Sequence, residues 1–182
     1  MMNVPNMLTF FRLLLLPLML LFFYLDFANH YLYCALLFIV IAITDFLDGY
    51  LARKLNQQTK FGAFIDPVAD KIVVGMSYIL IGQLYQNVWV TLAVIVIIGR
   101  EITISALREW MASQGSSKTM AVATIGKWKT TMQMLGVVAM FAAAEPYLNW
   151  GIPIAYIILA VATVLTMLSM YHYFQKAWAK FR

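Results

Sequence analysis

Four aspartates form a chemical unit in this chain. Asp45, Asp48, Asp66 and Asp70 lie in the stretch TDFLDGYLARKLNQQTKFGAFIDPVADKI (44–72) and make up half of its eight acidic residues. The first two are three positions apart and the last two four apart, so on helices each pair shares one face. Carboxylate oxygens are hard ligands that suit Mg²⁺, Mn²⁺ or Ca²⁺, and no histidine and cysteine set points to zinc. Two such ions would neutralise four carboxylates and still bind a phosphate oxygen. That arrangement polarises a phosphoryl group and steadies a leaving phosphate.

The rest of the sequence makes such a cluster costly. The 182 residues are 63% hydrophobic and 12% charged, where soluble domains run near half and a quarter. No water-soluble core hides that much apolar surface, which implies an integral membrane protein. An ionised carboxylate at the centre of a membrane helix costs about 2.5–3.5 kcal/mol. Four of them approach the whole stability margin of a fold, about 5–15 kcal/mol. Arg53 and Lys71 are too few to compensate; bound dications suffice. Gly49, Ala52 and Gly62 leave helix faces without bulk. Small residues serve close helix packing in membranes, but beside four acids and Arg53 they suit a flat or extended ligand.

The elements that must position these residues follow from the apolar runs. Length allows one domain over 1–182, all-α, with six transmembrane helices near 8–27, 31–52, 63–84, 88–112, 124–144 and 151–173. Each approaches the roughly 20 residues needed to cross hydrocarbon. With the N-terminus inside, all thirteen Lys and Arg fall on the cytoplasmic side, and the outer turns hold only Asp26, His30 and Glu145. The positive-inside rule then places both termini in the cytoplasm. The first run is long, lacks an A-x-A-like cleavage site and precedes further spans, so it reads as a retained helix. On this map the four aspartates meet at one depth, just inside the cytoplasmic boundary. Pro67 falls in the first turn of the third helix, where a missing N–H does no harm. The single cysteine, Cys34, excludes an intrachain disulfide. The net charge of +5 suits an anionic membrane face and anionic substrates.

These residues carry a resemblance. The pattern D-x-x-D-G-x-x-A-R, eight residues, then G-x-x-x-D-x-x-x-D is the signature of the CDP-alcohol phosphotransferase family. The chain matches it at Asp45, Asp48, Gly49, Ala52, Arg53, Gly62, Asp66 and Asp70. The resemblance implies a six-helix membrane enzyme, a homodimer, that moves a phosphatidyl group from a CDP-linked lipid to an alcohol and releases CMP. It implies that Asp45, Asp48 and Asp66 hold two Mg²⁺ or Mn²⁺ ions, and that Asp70 shares in coordination and acts as general base. It further implies that Gly49, Ala52 and Gly62 line a cytidine pocket while Arg53 reaches the diphosphate. Phosphoryl transfer of this kind needs charge neutralisation on the leaving oxygen and a positioned base.

The acceptor is read from the basic residues. GREITISALREW puts Arg100 and Arg108 within the fourth span, and GKWKTTMQ puts Lys127, Lys129, Thr130 and Gln133 at the start of the fifth. Such donors suit a phosphate-bearing acceptor. The competing role for the two arginines is ion pairing with Glu101 and Glu109. Together with NVPNMLTFFRLLLLP, these stretches are similar to the bacterial phosphatidylglycerophosphate synthases. That similarity implies CDP-diacylglycerol as donor and sn-glycerol 3-phosphate as acceptor, in a bacterial cell membrane with the site facing the cytoplasm. Asn6, Thr9 and Arg12 border the donor site on this reading, or Thr9 caps a helix. A sibling enzyme with phosphatidylglycerol, inositol phosphate or serine as acceptor is the alternative within the family. A divalent-cation transporter is the alternative outside it, although a transporter would hold its site near the midplane, often between repeats. Here the acids crowd one end of the helices, and no repeat is visible.

Overall fold

A computed structural model describes residues 4–54, 59–113 and 124–181 of the chain; the side chains of residues 4–6, 49–53, 60, 63, 124–127, 176 and 179–181 lie outside that description. Among these residues six α-helices follow one another: α1 (Val4–Tyr24), α2 (His30–Lys54), α3 (Lys60–Tyr85), α4 (Val88–Ser113), α5 (Thr124–Ala143) and α6 (Ile152–Phe181), with a 3₁₀ turn over Pro146–Gly151 before the last. Among the described residues there is no strand. Among the described residues four helices are long and apolar enough to cross a membrane: α1, α2, α4 and α6. The other two, α3 and α5, carry Asp66, Asp70 and Lys71, and Lys129, Thr130 and Gln133, respectively.

Short connections fold the chain into antiparallel hairpins. Asn29 takes the left-handed conformation (φ 63°) between α1 and α2, a region asparagine tolerates better than most residues. Gln86 does the same after α3 (φ 43°), and its N–H donates to the Gly82 carbonyl at 3.2 Å. Asn87 then starts α4, its side-chain oxygen accepting the Trp89 N–H at 2.8 Å. At the other end of α3, Thr59 caps the helix by accepting the Gly62 N–H at 2.9 Å. The cap places the start of α3 at Lys60, so Pro67 is interior rather than in the first turn. Its ring supplies no N–H to the Ala63 carbonyl four residues back.

The helices pack α1 on α2, α5 on α6, and α3 against α1, α4 and α5. The core of this bundle is apolar and continuous, running through Met19, Phe38, Ile81, Ile97 and Phe141. The outward faces are apolar as well, with Phe46 72% and Trp89 75% exposed. This is the pattern of a chain whose solvent is lipid. Some polar groups inside the bundle are bonded between helices. Tyr78 donates its hydroxyl to the Gln133 carbonyl at 2.9 Å, and Tyr85 to the Met140 carbonyl at 2.8 Å, so α3 is tied to α5 twice. Gly136 permits the first approach, since a Cβ there would stand 3.2 Å from the Tyr78 hydroxyl.

At the end of the bundle away from the aspartates, buried Glu145 accepts the Leu32 N–H at 3.1 Å. Leu32 lies in the first turn of α2, where backbone N–H groups have no partner within the helix and a negative charge is favoured. Glu145→Ala is expected to strand that donor. The expected cost is about 1–3 kcal/mol, seen as a lower melting temperature of the purified protein in detergent; an unchanged melting temperature would show that the bond contributes nothing.

Candidate active site

Three helices build the acidic cluster, each through a pair of residues on one face. α1 supplies Thr9 and Arg12, α2 supplies Asp45 and Asp48, and α3 supplies Asp66 and Asp70. Arg12, only 1% exposed, sits at the centre. Its Nη1 donates to Asp45 Oδ1 at 2.6 Å and to Asp70 Oδ1, and its Nη2 donates to Asp48 Oδ2. Thr9 donates its hydroxyl to Asp66 Oδ1 at 2.7 Å and lies 3.5 Å from Asp48 Oδ2. Two side chains of α1 thereby bridge all four aspartates.

Sequence reasoning brought the acids together but missed what joins them. Thr9 lies in the second turn of α1 and is not its N-cap. The sequence sets Arg12 at the border of the site; the structure makes it the hub. The signal was present in FFRLLLLP: an arginine set in an apolar run must find acidic partners. Truncating one member of such a buried pair costs about 3–5 kcal/mol, because the other charge is left uncompensated. Arg12 therefore supplies part of the compensation that Arg53 and Lys71 could not.

One guanidinium against four carboxylates still leaves the cluster net negative. Asp45, Asp66 and Asp70 line a pocket of about 350 Å³, while Asp48 is buried behind it. An all-oxygen, net-negative donor set opening on a cavity fits a hard divalent cation in ligand type and charge. The carboxylates are gathered around the guanidinium rather than spaced as a ready cage, and among the described residues no group of three His, Cys, Asp or Glu has that spacing.

The opposite wall of the pocket is basic and polar. It is formed by Glu101 and Arg108 of α4 and by Lys129, Thr130 and Gln133 of α5. Lys129 is buried and ion-paired with Glu101. Glu101 also accepts from Arg100 Nη1 at 3.2 Å. Arg100 itself is turned away from the pocket. Its Nη2 donates to Ser169 Oγ at 2.7 Å, and its guanidinium lies 5.5 Å from the centroid of the Tyr173 ring. Of the basic residues expected at the acceptor, Arg108 and Lys129 thus reach the pocket and Arg100 backs its wall. The side chain of Lys127 lies outside the described residues.

Of the residues expected around the nucleotide, Gly62 is buried in the first turn of α3. Gly49, Ala52 and Arg53 belong to the last turns of α2, and their side chains are outside the description. Glu101 and Lys71 are charged pocket residues whose place there is not read from the sequence, which offers Glu101 as a partner for arginine and Lys71 as partial compensation for the aspartates.

Comparison with known proteins bears on the whole chain. The model of the CDP-alcohol phosphatidyltransferase family matches residues 2–169. A protein of Wigglesworthia glossinidia brevipalpis is 47% identical over 176 residues, covering 97% of this chain and 95% of its own. One of Pectobacterium atrosepticum is 47% identical over 175 residues, covering 96% and 94%. One of Salmonella choleraesuis is 46% identical over 176 residues, with coverage of 96% and 94%. All three bear the name CDP-diacylglycerol–glycerol-3-phosphate 3-phosphatidyltransferase. With the family model spanning most of the chain and three of the four signature aspartates on one pocket, this protein belongs to the CDP-alcohol phosphatidyltransferase family.

Proposed function

We propose that this protein transfers the phosphatidyl group of CDP-diacylglycerol to sn-glycerol 3-phosphate, giving phosphatidylglycerophosphate and CMP. The observation that carries this reading is the two-sided pocket: Asp45, Asp66 and Asp70 on one wall, Arg108 and Lys129 on the other. The first wall suits metal-held diphosphate, and the second suits the phosphate of an acceptor. The names of the relatives support the same pair of substrates.

Asp45, Asp48, Asp66 and Asp70 would hold two Mg²⁺ or Mn²⁺ ions. When bound, these ions neutralise the diphosphate and the charge that develops on the departing oxygen. The chain's own groups do the rest. Arg108 and Lys129 hold the acceptor phosphate, so that its free hydroxyl lies toward Asp70. The hydroxyl oxygen bonds to the phosphorus that carries diacylglycerol. The bond from that phosphorus to the bridging oxygen breaks, and CMP leaves with the bridging oxygen. The hydroxyl proton passes to the carboxylate of Asp70, whose side chain is 45% exposed toward the pocket. Gly49, Ala52 and Gly62 receive the cytidine, and Arg53 meets the diphosphate. The distribution of Lys and Arg supports six spans, cytoplasmic termini and a site open to the cytoplasmic face. The outward apolar faces serve surrounding lipid and, on this reading, a second copy of the chain.

Release of labelled CMP from CDP-diacylglycerol tests the reading directly. It is expected to require both glycerol 3-phosphate and Mg²⁺ or Mn²⁺, and to stop with a chelator; release indifferent to either would refute it. Asp66→Asn is expected to cut turnover at least about a hundredfold, since even outer-shell partners of a metal are worth about 10–100-fold. Retained turnover would remove Asp66 from the metal set. Arg108→Ala is expected to raise the KM for glycerol 3-phosphate about tenfold or more, with little change for the CDP-lipid. Equal effects on both substrates would take Arg108 out of the acceptor site.

A further inference from the structure

The basic wall of the pocket holds its two cations in different states. Arg108 is exposed and faces the cavity, with no ion pair among the described residues. Lys129 is buried and already engaged by Glu101. Glu101 lines the same cavity, and its side chain is 20% exposed. An acid in a pocket that would receive a phosphate needs an explanation, because it repels the ligand. Its second contact supplies one. The carboxylate is shared between Lys129 and Arg100, and Arg100 is anchored independently by Ser169 and the Tyr173 ring. Glu101 can therefore give up Lys129 and keep a cationic partner. Lys129 cannot give up Glu101 without another anion, since a buried cation left unpaired is strongly disfavoured.

We infer that Glu101 is a displaceable counter-anion that selects for a phosphorylated acceptor. The inference rests on the acceptor proposed above and adds how that acceptor is chosen. Arg108 meets the incoming phosphate first. The phosphate then takes Lys129 from Glu101, whose carboxylate falls back on Arg100. A neutral alcohol, or water, carries no charge with which to make this exchange and leaves Lys129 closed. Glu101 thus acts on the acceptor through Lys129, as a specificity-determining residue rather than as a group that touches the reacting atoms.

Steady-state kinetics of Glu101→Gln in detergent test this. The KM for glycerol 3-phosphate and the inhibition constant of inorganic phosphate are both expected to fall, by about two- to fivefold, the scale of one partly exposed ion pair. The KM for CDP-diacylglycerol is expected to stay the same. Glu101→Asp retains the charge beside Arg100 but shortens the reach to Lys129, so it is expected to shift the same two constants in the same direction by less. It also serves as the test if the Gln variant does not fold. A merely structural Glu101 would weaken phosphate and glycerol 3-phosphate when altered, and a rise or no change in both constants would overturn the inference. The parent reading fails separately, if the unaltered protein shows no CMP release that depends on glycerol 3-phosphate.

Discussion

The contact on which the site depends is the guanidinium of Arg12 among three carboxylates. It joins α1 to α2 and α3 through charge, at a place where apolar packing alone would not hold like-charged side chains together. Four acids on two helices repel one another and drive those helices apart. A buried arginine reverses that sign, and the Thr9 hydroxyl extends the bridge to Asp66. The cluster is therefore assembled by the chain itself. Thr9, Arg12 and the four aspartates each find a partner on a different helix.

The same economy governs the other half of the pocket. Lys129 and Arg100 are both buried, and both lean on Glu101. Acidic and basic halves thus each contain opposite charge: Arg12 bonded among the aspartates, with Lys71 also lining the pocket, and Glu101 among the cations. The two are not alike in exposure. Arg12 is sealed inside the bundle, whereas Glu101 borders the cavity. Opposite charge within easy reach of a ligand can be exchanged for that ligand, while opposite charge sealed in the core acts first as a fastening.

Much of this was legible in the sequence, and the limits have physical causes. Apolar runs and polar breaks located the helices, because burial in lipid and local turn chemistry are written along the chain. The spacings of Asp45 with Asp48 and of Asp66 with Asp70 revealed shared faces, because helical periodicity is local. The Thr59 cap starts α3 before its apolar run begins, which carries Pro67 from the first turn into the helix interior. The partners of Arg12, and those of Arg100 beyond the Glu101 pair that the sequence offered, were a different matter. Arg12 reaches acids on two other helices, and Arg100 turned to Ser169 and Tyr173 of α6 rather than to the pocket. Neither pairing follows from spacing, since which helix lies beside which is decided by packing.

The division of the pocket between helices has a bearing on how such a protein can change. The carboxylates stand on α2 and α3, and the opposing cations on α4 and α5. Those two sets are distinct stretches of chain, tied by backbone-carbonyl bonds from tyrosines rather than by the charged residues themselves. On the division of roles proposed above, divergence on α4 and α5 redraws which alcohol is welcomed while the aspartate-bearing helices are inherited intact. A lineage built this way can acquire new headgroups without reinventing its chemistry.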